Sequence, residues 1–313
     1  RHGPRGLHVW RLPRAGELTL APPTTLTYAV AATGRGTWVT RSILITGCAS
    51  GIGRAACDGL RARGWHVVAS VRQAGDVPAL EADGFDCVHL DYADPASVAS
   101  GLAAALDRTG GRLDALFNNG AFGLPGAMED LPRGALEEIF AANVFGVHDL
   151  TRRVIPVMRA QGAGRIVQHS SVLGYVTYKW RGAYVATKYA LEGLTDTLRL
   201  EMRDTPIHVV TLNTGPVTSM LRRKSIPRFE KWIDWEASPR AAQYRDSLLK
   251  RLYEDRGPDP FELPPGAVVK KLAHALESPR PRPRYYITTP AYVAAALRRA
   301  LPTRALDSVL ARG

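Results

Sequence analysis

Residues 43–53 read Ile-Leu-Ile-Thr-Gly-Cys-Ala-Ser-Gly-Ile-Gly, and their order decides the fold. The run from Ser42 to Thr46 is short, apolar and β-branched, the signature of a strand buried on both faces of a parallel sheet. It breaks at Gly47; Gly51 and Gly53 follow, and an alanine-rich helical pattern runs from Arg54 to Arg63. A strand, a glycine turn and a helix start make an anion site, because free backbone N–H groups and the positive end of the helix dipole face the same point. Glycine lets the backbone come close to a diphosphate and lets the helix pack on the strand.

Working outward, strand patterns recur near 43–47, 66–71, 86–90, 113–118, 164–170, 207–213 and 284–288, with helical patterns between them. That rhythm predicts one α/β domain: a Rossmann-like, doubly wound parallel sheet of about seven strands with helices on both faces. The second strand ends at Arg72, and no carboxylate occurs between Trp65 and Gly75. A carboxylate there would hold a ribose 2′-hydroxyl, whereas an arginine suits a 2′-phosphate. Together with the Ser50 hydroxyl on the turn, this predicts NADP(H) as cofactor over NAD(H).

Tyr184-x-x-x-Lys188 places a phenol and an ammonium one helical turn apart, and Ser171 lies thirteen residues before the tyrosine. Residues four apart share a helix face. The ammonium is therefore expected to favour the phenolate and lower the tyrosine pKa, and a serine hydroxyl from a strand end can hydrogen-bond a carbonyl oxygen as charge develops on it.

These residues together resemble the short-chain dehydrogenase/reductase superfamily, over about Ser42 to Thr289. Thr46-Gly47-x-x-x-Gly51-Ile52-Gly53, Asn118-Asn119-Gly120-Ala121, Asn143, Ser171, Tyr184-x-x-x-Lys188 and Gly215-Pro216-Val217 followed by Ser219 match its motifs. The resemblance is strongest to the 17β-hydroxysteroid/retinol dehydrogenase-like branch and to bacterial NADP-dependent aldehyde reductases. It implies a catalytic tetrad of Asn143, Ser171, Tyr184 and Lys188, with Asn143 fixing a water that links Lys188 to solvent. It implies cofactor contacts from Gly47, Ser50, Gly51, Ile52, Gly53, Arg72, Asp91 (at the adenine), Asn118, Asn119, Tyr184, Lys188, Gly215, Pro216, Val217 and Ser219. It also implies a homodimer or homotetramer paired through residues 132–158 and 182–203. Two positions depart from the pattern. Gly120-Ala121 inverts the usual Ala-Gly order, which would strain Ala121 by roughly 1 kcal/mol if that site needs positive φ, or shift the turn to Gly123. Ser219 replaces a threonine but keeps the hydroxyl.

The expected activity is hydride transfer between NADP(H) and the carbonyl or alcohol of a hydrophobic substrate, with aldehyde or ketone reduction favoured and a steroid- or retinoid-like molecule within its range. The alternative is a catalytically weak NADP-binding sensor, for which the inverted Gly120-Ala121 is the one feature in favour. Residues 219–265 break the strand–helix rhythm and carry Met220, Phe229, Trp232, Trp235, Tyr244 and Tyr253. They follow the sixth strand at the carboxyl edge, where open α/β sheets bind ligands, and are expected to form a substrate lid. Their aromatic side chains suit a pocket and a small core of the lid's own equally well. Leu173, Val176, Tyr178 and Met220 are the candidate pocket walls.

The formal charge of +12 resides at the ends: residues 1–40 hold five arginines against Glu17, and residues 270–313 hold nine Lys/Arg against Glu277 and Asp307. A near-neutral centre argues against a nucleic-acid binder. Residues 1–40 are expected to be a poorly ordered basic extension, 41–290 the catalytic domain, and 291–313 a basic amphipathic segment broken at Pro302 that packs on the body or touches an anionic membrane. Cys48, Cys57 and Cys87 are odd in number and lack metal spacing, so reduced thiols, no metal and a cytoplasmic protein, at most peripheral to the inner membrane face, are expected.

Overall fold

The structure, a computed structural model, describes residues 40–255 and 257–311. The expectations for residues 1–39 and for Arg312 lie outside the described residues. Strands β1 (Ser42–Ile45), β2 (His66–Val71), β3 (Asp86–His89), β4 (Ala115–Asn118), β5 (Gly164–Ser171), β6 (Ile207–Thr214) and β7 (Arg284–Ile287) form one sheet in the order β3-β2-β1-β4-β5-β6-β7. Every pairing is parallel, so all the carboxyl ends lie along one edge. The order reverses between β1 and β4, which opens a crevice there.

Between the strands run α1 (Gly51–Arg61), α2 (Val77–Ala82), α3 (Pro95–Arg108), α4 (Arg133–Phe140), α5 (Val147–Ala160) and α6 (Gly182–Glu201). After β6 come α7 (Leu221–Trp232), α8 (Ala241–Gln243), α9 (Lys250–Tyr253) and α10 (Gly266–Glu277). Two helices, α11 (Thr289–Ala300) and α12 (Thr303–Leu310), follow β7 and part at Pro302, which lacks the N–H a continuous helix needs. Between α4 and α5, within the segment 132–158 implied to pair subunits, lies a π-helical turn at Ala141–Gly146.

Alternate residues of each strand feed two cores. Leu44, Val68, Leu116 and Ile166 pack under α3, α4 and α5; Ile43, Ile45, Phe117 and Val167 pack under α1 and α10. Ile43, Leu44 and Ile45 are wholly buried, each worth roughly 1.5–3 kcal/mol, which is why β1 reads as a continuous apolar run. The aromatic residues after β6 divide. Phe229 and Tyr244 are buried in the first core, and the Trp180 ring lies 4.6 Å from Tyr244. These residues join the core of the domain itself, not a separate small core of the segment after β6. The C-terminal helices bury Ala291, Ala295 and Leu306, and the Tyr175 hydroxyl donates to Ala291 O at 2.6 Å.

The glycine turn is as tight as its sequence demands. Gly47 has φ +71°, and a Cβ on it would come within 2.8 Å of Gly120 Cα. A Cβ on Gly53 would overlap the carbonyl oxygen of Gly47. Gly53→Ala is therefore expected to lower stability by about 1–3 kcal/mol, read as a drop of several degrees in the unfolding midpoint. An unchanged midpoint would show that the turn yields.

Candidate active site

Ser171 is the last residue of β5, Tyr184 lies in the first turn of α6, and Lys188 lies one turn further on. The Ser171 hydroxyl faces the Tyr184 phenol closely enough to favour its ionised form. Ser171 Oγ also donates to Thr214 O at 3.3 Å and accepts from the Leu173 N–H at 3.1 Å. Lys188 is 3% exposed, and its Nζ donates to His169 O at 2.7 Å. Asn143 lies within the π-helical turn, where it accepts from the Phe122 N–H at 3.1 Å and donates to Phe122 O at 2.9 Å and to Thr187 Oγ1 at 3.3 Å. It thereby pins the loop after β4 to α6. The four tetrad positions thus gather where the carboxyl ends of β4 and β5 meet the start of α6.

The electrostatics correct one expectation. Burial pushes the Tyr184 phenol up to about 12, outweighing the Ser171 hydrogen bond and the Arg181 charge, which both lower it. Burial therefore outweighs whatever the ammonium contributes: Lys188 Nζ donates to the His169 carbonyl and stands 5.5 Å from the tyrosine ring centroid. Lys188 is itself pushed down to about 8 by burial, with the Glu192 charge opposing.

His169 escaped the sequence reading, although its two-residue offset from Ser171 places both on one face of β5. Asn119 Nδ2 donates to Thr46 O at 2.8 Å, which turns its Oδ1 toward His169 Nδ1 at 2.9 Å. That oxygen cannot donate, so Nδ1 carries the proton and Nε2 accepts from Thr214 Oγ1 at 3.2 Å. Burial, aided by the Lys188 charge, holds the ring neutral with a pKa of about 3. Thr46 was also missed as a hub. Its Oγ1 accepts from the N–H groups of Asn119 and Gly120 at 2.9 and 3.0 Å and bonds the Tyr92 hydroxyl at 2.8 Å.

The nucleotide end fits a dinucleotide. The Gly47–Gly53 turn leaves room only for backbone, and Ser50 caps α1 with no side-chain bond to its N–H groups. Those N–H groups could hold a diphosphate. Arg72 is exposed at the end of β2, and among the described residues it makes no ion pair. Asp91 turns its carboxylate onto the Ala93 N–H at 2.9 Å. Gly215, Pro216, Val217 and Ser219 follow β6 on the same edge, with Ser219 beside Gly51. Ile52 is half-buried against the second core.

Asn118 was expected among the cofactor contacts, but it is buried, accepting from the Tyr92 hydroxyl at 2.6 Å and donating to Thr151 at 2.9 Å. Its side chain is spent inside the sheet and does not reach the crevice. The inverted Gly120-Ala121 carries no strain. Neither Ala121 nor Gly123 has positive φ, so the turn has no left-handed position for a glycine to fill. On the substrate side, Val176 is buried, Leu173 half-buried, and Tyr178 and Met220 are 36% and 38% exposed.

The depressed Lys188 pKa fixes a stability signature. Below about 8 both folded and unfolded chains carry the proton and the folded protein bears the full burial penalty; between 8 and the ordinary 10.5 the unfolded chain binds more protons, so stability climbs with pH. The climb attributable to this group is about 3 kcal/mol. Denaturant unfolding of the nucleotide-free protein and of Lys188→Met is expected to give a stability difference that shifts in favour of the wild type between pH 7 and pH 9.5. A pH-independent difference would refute the buried-ammonium reading.

A family model described as short chain dehydrogenase matches residues 41–228. The uncharacterized oxidoreductase YbbO of Escherichia coli (strain K12) is 37% identical over 86% of this chain and 94% of that protein. Human retinol dehydrogenase 8 is 30% identical over 77% of this chain and 79% of its own length. Among solved structures, a short chain dehydrogenase/reductase from Burkholderia phymatum in complex with NAD superposes with a TM-score of 0.68 at 28% identity, covering 88% of this chain and 96% of that one. With this sheet order, this glycine turn and these four converging side chains, the chain belongs to the short-chain dehydrogenase family of oxidoreductases.

Proposed function

We infer that the protein is an NADP(H)-dependent reductase of hydrophobic aldehydes or ketones. The observation that carries this reading is the meeting of Ser171, at the end of β5, with Tyr184 and the buried Lys188 of α6 at the carboxyl edge of the sheet. When bound, the nicotinamide supplies the hydride. Tyr184, held protonated by burial, gives the proton to the carbonyl oxygen. Ser171 donates to the same oxygen and stabilises the charge that builds on it. Lys188, nearer neutrality at about 8, can return a proton to the phenolate side, and Asn143 keeps α6 at a fixed distance from the loop after β4.

The NADP(H) preference rests on cations around the 2′-phosphate position. Arg72 ends β2, Arg228 of α7 lies within reach of the Arg72 and Asp91 charges, and Lys224 donates to Ser50 Oγ at 2.8 Å. Leu173, Val176, Tyr178 and Met220 make the expected apolar wall, with α7–α9 as the lid. Similarity to a retinol dehydrogenase supports an apolar substrate. The sensor alternative loses its support, since Ala121 is unstrained.

Exposed Phe145 and Leu200, 63% and 64% accessible, lie on the segments assigned to subunit pairing, and we read them as part of a dimer or tetramer face. No helix among the described residues is long and apolar enough to cross a membrane. A cytoplasmic protein, with peripheral membrane contact through exposed Tyr292, Val293 and Val309, is the reading we adopt.

Consumption of NADPH, with NADH as control, over a panel of aliphatic, aromatic, retinoid and steroid carbonyls tests the activity. Tyr184→Phe is expected to lose about 10²–10⁴-fold in turnover while binding NADPH as the wild type does. Arg72→Asp is expected to move the preference toward NADH. Full turnover by Tyr184→Phe, or an unmoved preference in Arg72→Asp, would overturn the respective assignment.

A further inference from the structure

Three guanidinium groups gather around Asp259, and one of them, Arg181, acts on the Tyr184 phenol. Arg181 immediately precedes α6, three residues before Tyr184, and its charge reaches the phenol. Arg222 lies in the first turn of α7 and Arg251 in α9. Both donate to the same oxygen, Asp259 Oδ2, at 3.2 and 2.9 Å, and they are 28% and 30% exposed. Arg181 pairs with no carboxylate among the described residues, yet it feels the charges of Arg251, Arg222 and Asp259. Arg251 Nε is buried with no partner. Glu262, the next carboxylate along, accepts from Thr218 Oγ1 at 2.7 Å and from the Asp259 N–H at 2.9 Å and pairs with none of the three.

Some arginines of this protein are fully matched with acid: Arg284 pairs with both Glu192 and Asp196, and Arg54 with both Asp58 and Asp83. One carboxylate shared by two arginines also occurs at Asp149 and Glu277; what sets this cluster apart is Arg181, which among the described residues has no carboxylate partner beside the shared Asp259 pair. In open water such an excess is screened. In a half-buried site it is not: burial, then the two neighbouring guanidiniums, push Arg181 down to about 10.

The arrangement is also held rigidly. Trp180, next to Arg181, sits at φ +65°, a conformation costing a bulky residue on the order of 1 kcal/mol. It is locked by the Tyr244 ring at 4.6 Å and by the Gly126 N–H donating to its carbonyl at 3.0 Å. The loop bearing Asp259 is laced to the turn after β6 by Thr218 N–H to Leu263 O at 3.1 Å and Leu263 N–H to Pro216 O at 3.2 Å.

We propose that Arg181, Arg222 and Arg251 form a receptor for an oxyanion carried by the carbonyl substrate, so that the preferred substrate is an apolar aldehyde or ketone with an anionic head, a carboxylate being the minimal case. This rests on the reductase reading above and adds the substrate class. Guanidinium forks match an oxyanion with paired, charge-assisted hydrogen bonds. The excess charge of the cluster is complete only when a negative group occupies it.

The test compares ω-oxo carboxylic acids of graded chain length with their methyl esters, at saturating NADPH. In the wild type the best acid is expected to exceed its ester in kcat/KM by about tenfold or more, mainly through KM. Arg222→Gln and Arg251→Gln are expected to bring that ratio toward one, and Asp259→Asn, which removes the competing carboxylate, to raise it. Inorganic phosphate is expected to inhibit reduction of the acid competitively. A wild-type ratio near one with both compounds reduced overturns the proposal. So does a ratio unmoved in folded Arg222→Gln and Arg251→Gln, as confirmed by their thermal unfolding. A rise in the KM for NADPH in these variants with an unmoved ratio assigns the cluster to the nucleotide and overturns it equally. Absence of NADPH consumption with every carbonyl would sink the reductase reading itself.

Discussion

The arrangement at the carboxyl edge depends on one costly act, the burial of the Lys188 ammonium. A charge taken out of water must be given partners or lose its proton. The protein does some of both. The carbonyl of His169 accepts its proton at 2.7 Å, Glu192 one turn along α6 supplies an opposing charge, and the pKa settles at about 8. Offering that carbonyl to α6 makes the backbone at the end of β5 a fixed point, and two residues later the same strand delivers Ser171. His169 itself is locked neutral between Asn119 and Thr214, so β4, β5 and β6 are joined by side chains where their ladders end. The Ser171–Tyr184 pair inherits its geometry from this lattice.

What could be read in advance was local. The strand–turn–helix from Ser42 to Arg61 is contiguous, so residue type and spacing were enough to place it. Tyr184 and Lys188 share a helix, so their offset was enough too. What failed needed burial or distance. Spacing shows that a phenol and an ammonium are near each other but not that both are desolvated, and so it missed that burial dominates and raises the Tyr184 pKa. Asn118 reads as a motif residue, yet strand alternation and Tyr92, a partner with no sequence signature, turn it inward. The cost assigned to Ala121 presumed a left-handed turn that the chain does not make.

The aromatic residues after β6 show a different limit. Composition could not separate a pocket from a core, and the outcome depends on tertiary packing: Tyr244 and Phe229 are drawn into the core beneath α4, while Tyr253 stays 52% exposed with its hydroxyl on Glu230. The arginine cluster was equally hidden, because its members come from three separate helical segments and a loop. Only folding brings 181, 222, 251 and 259 together, and it does so with a mismatch in charge that no local window of sequence would display.

The tie between Glu192 and the last strand reaches further than the site itself. Glu192 is bonded to Asn213 at 2.5 Å and paired with Arg284 of β7, whereas the family match ends at residue 228. The carboxylate that acts on the central lysine is thus itself held by the last strand, beyond the span of the family model. A substitution at Arg284 would free the carboxylate that faces the buried ammonium while every signature residue stays in place, so the last strand is part of the scaffold on which the edge is built.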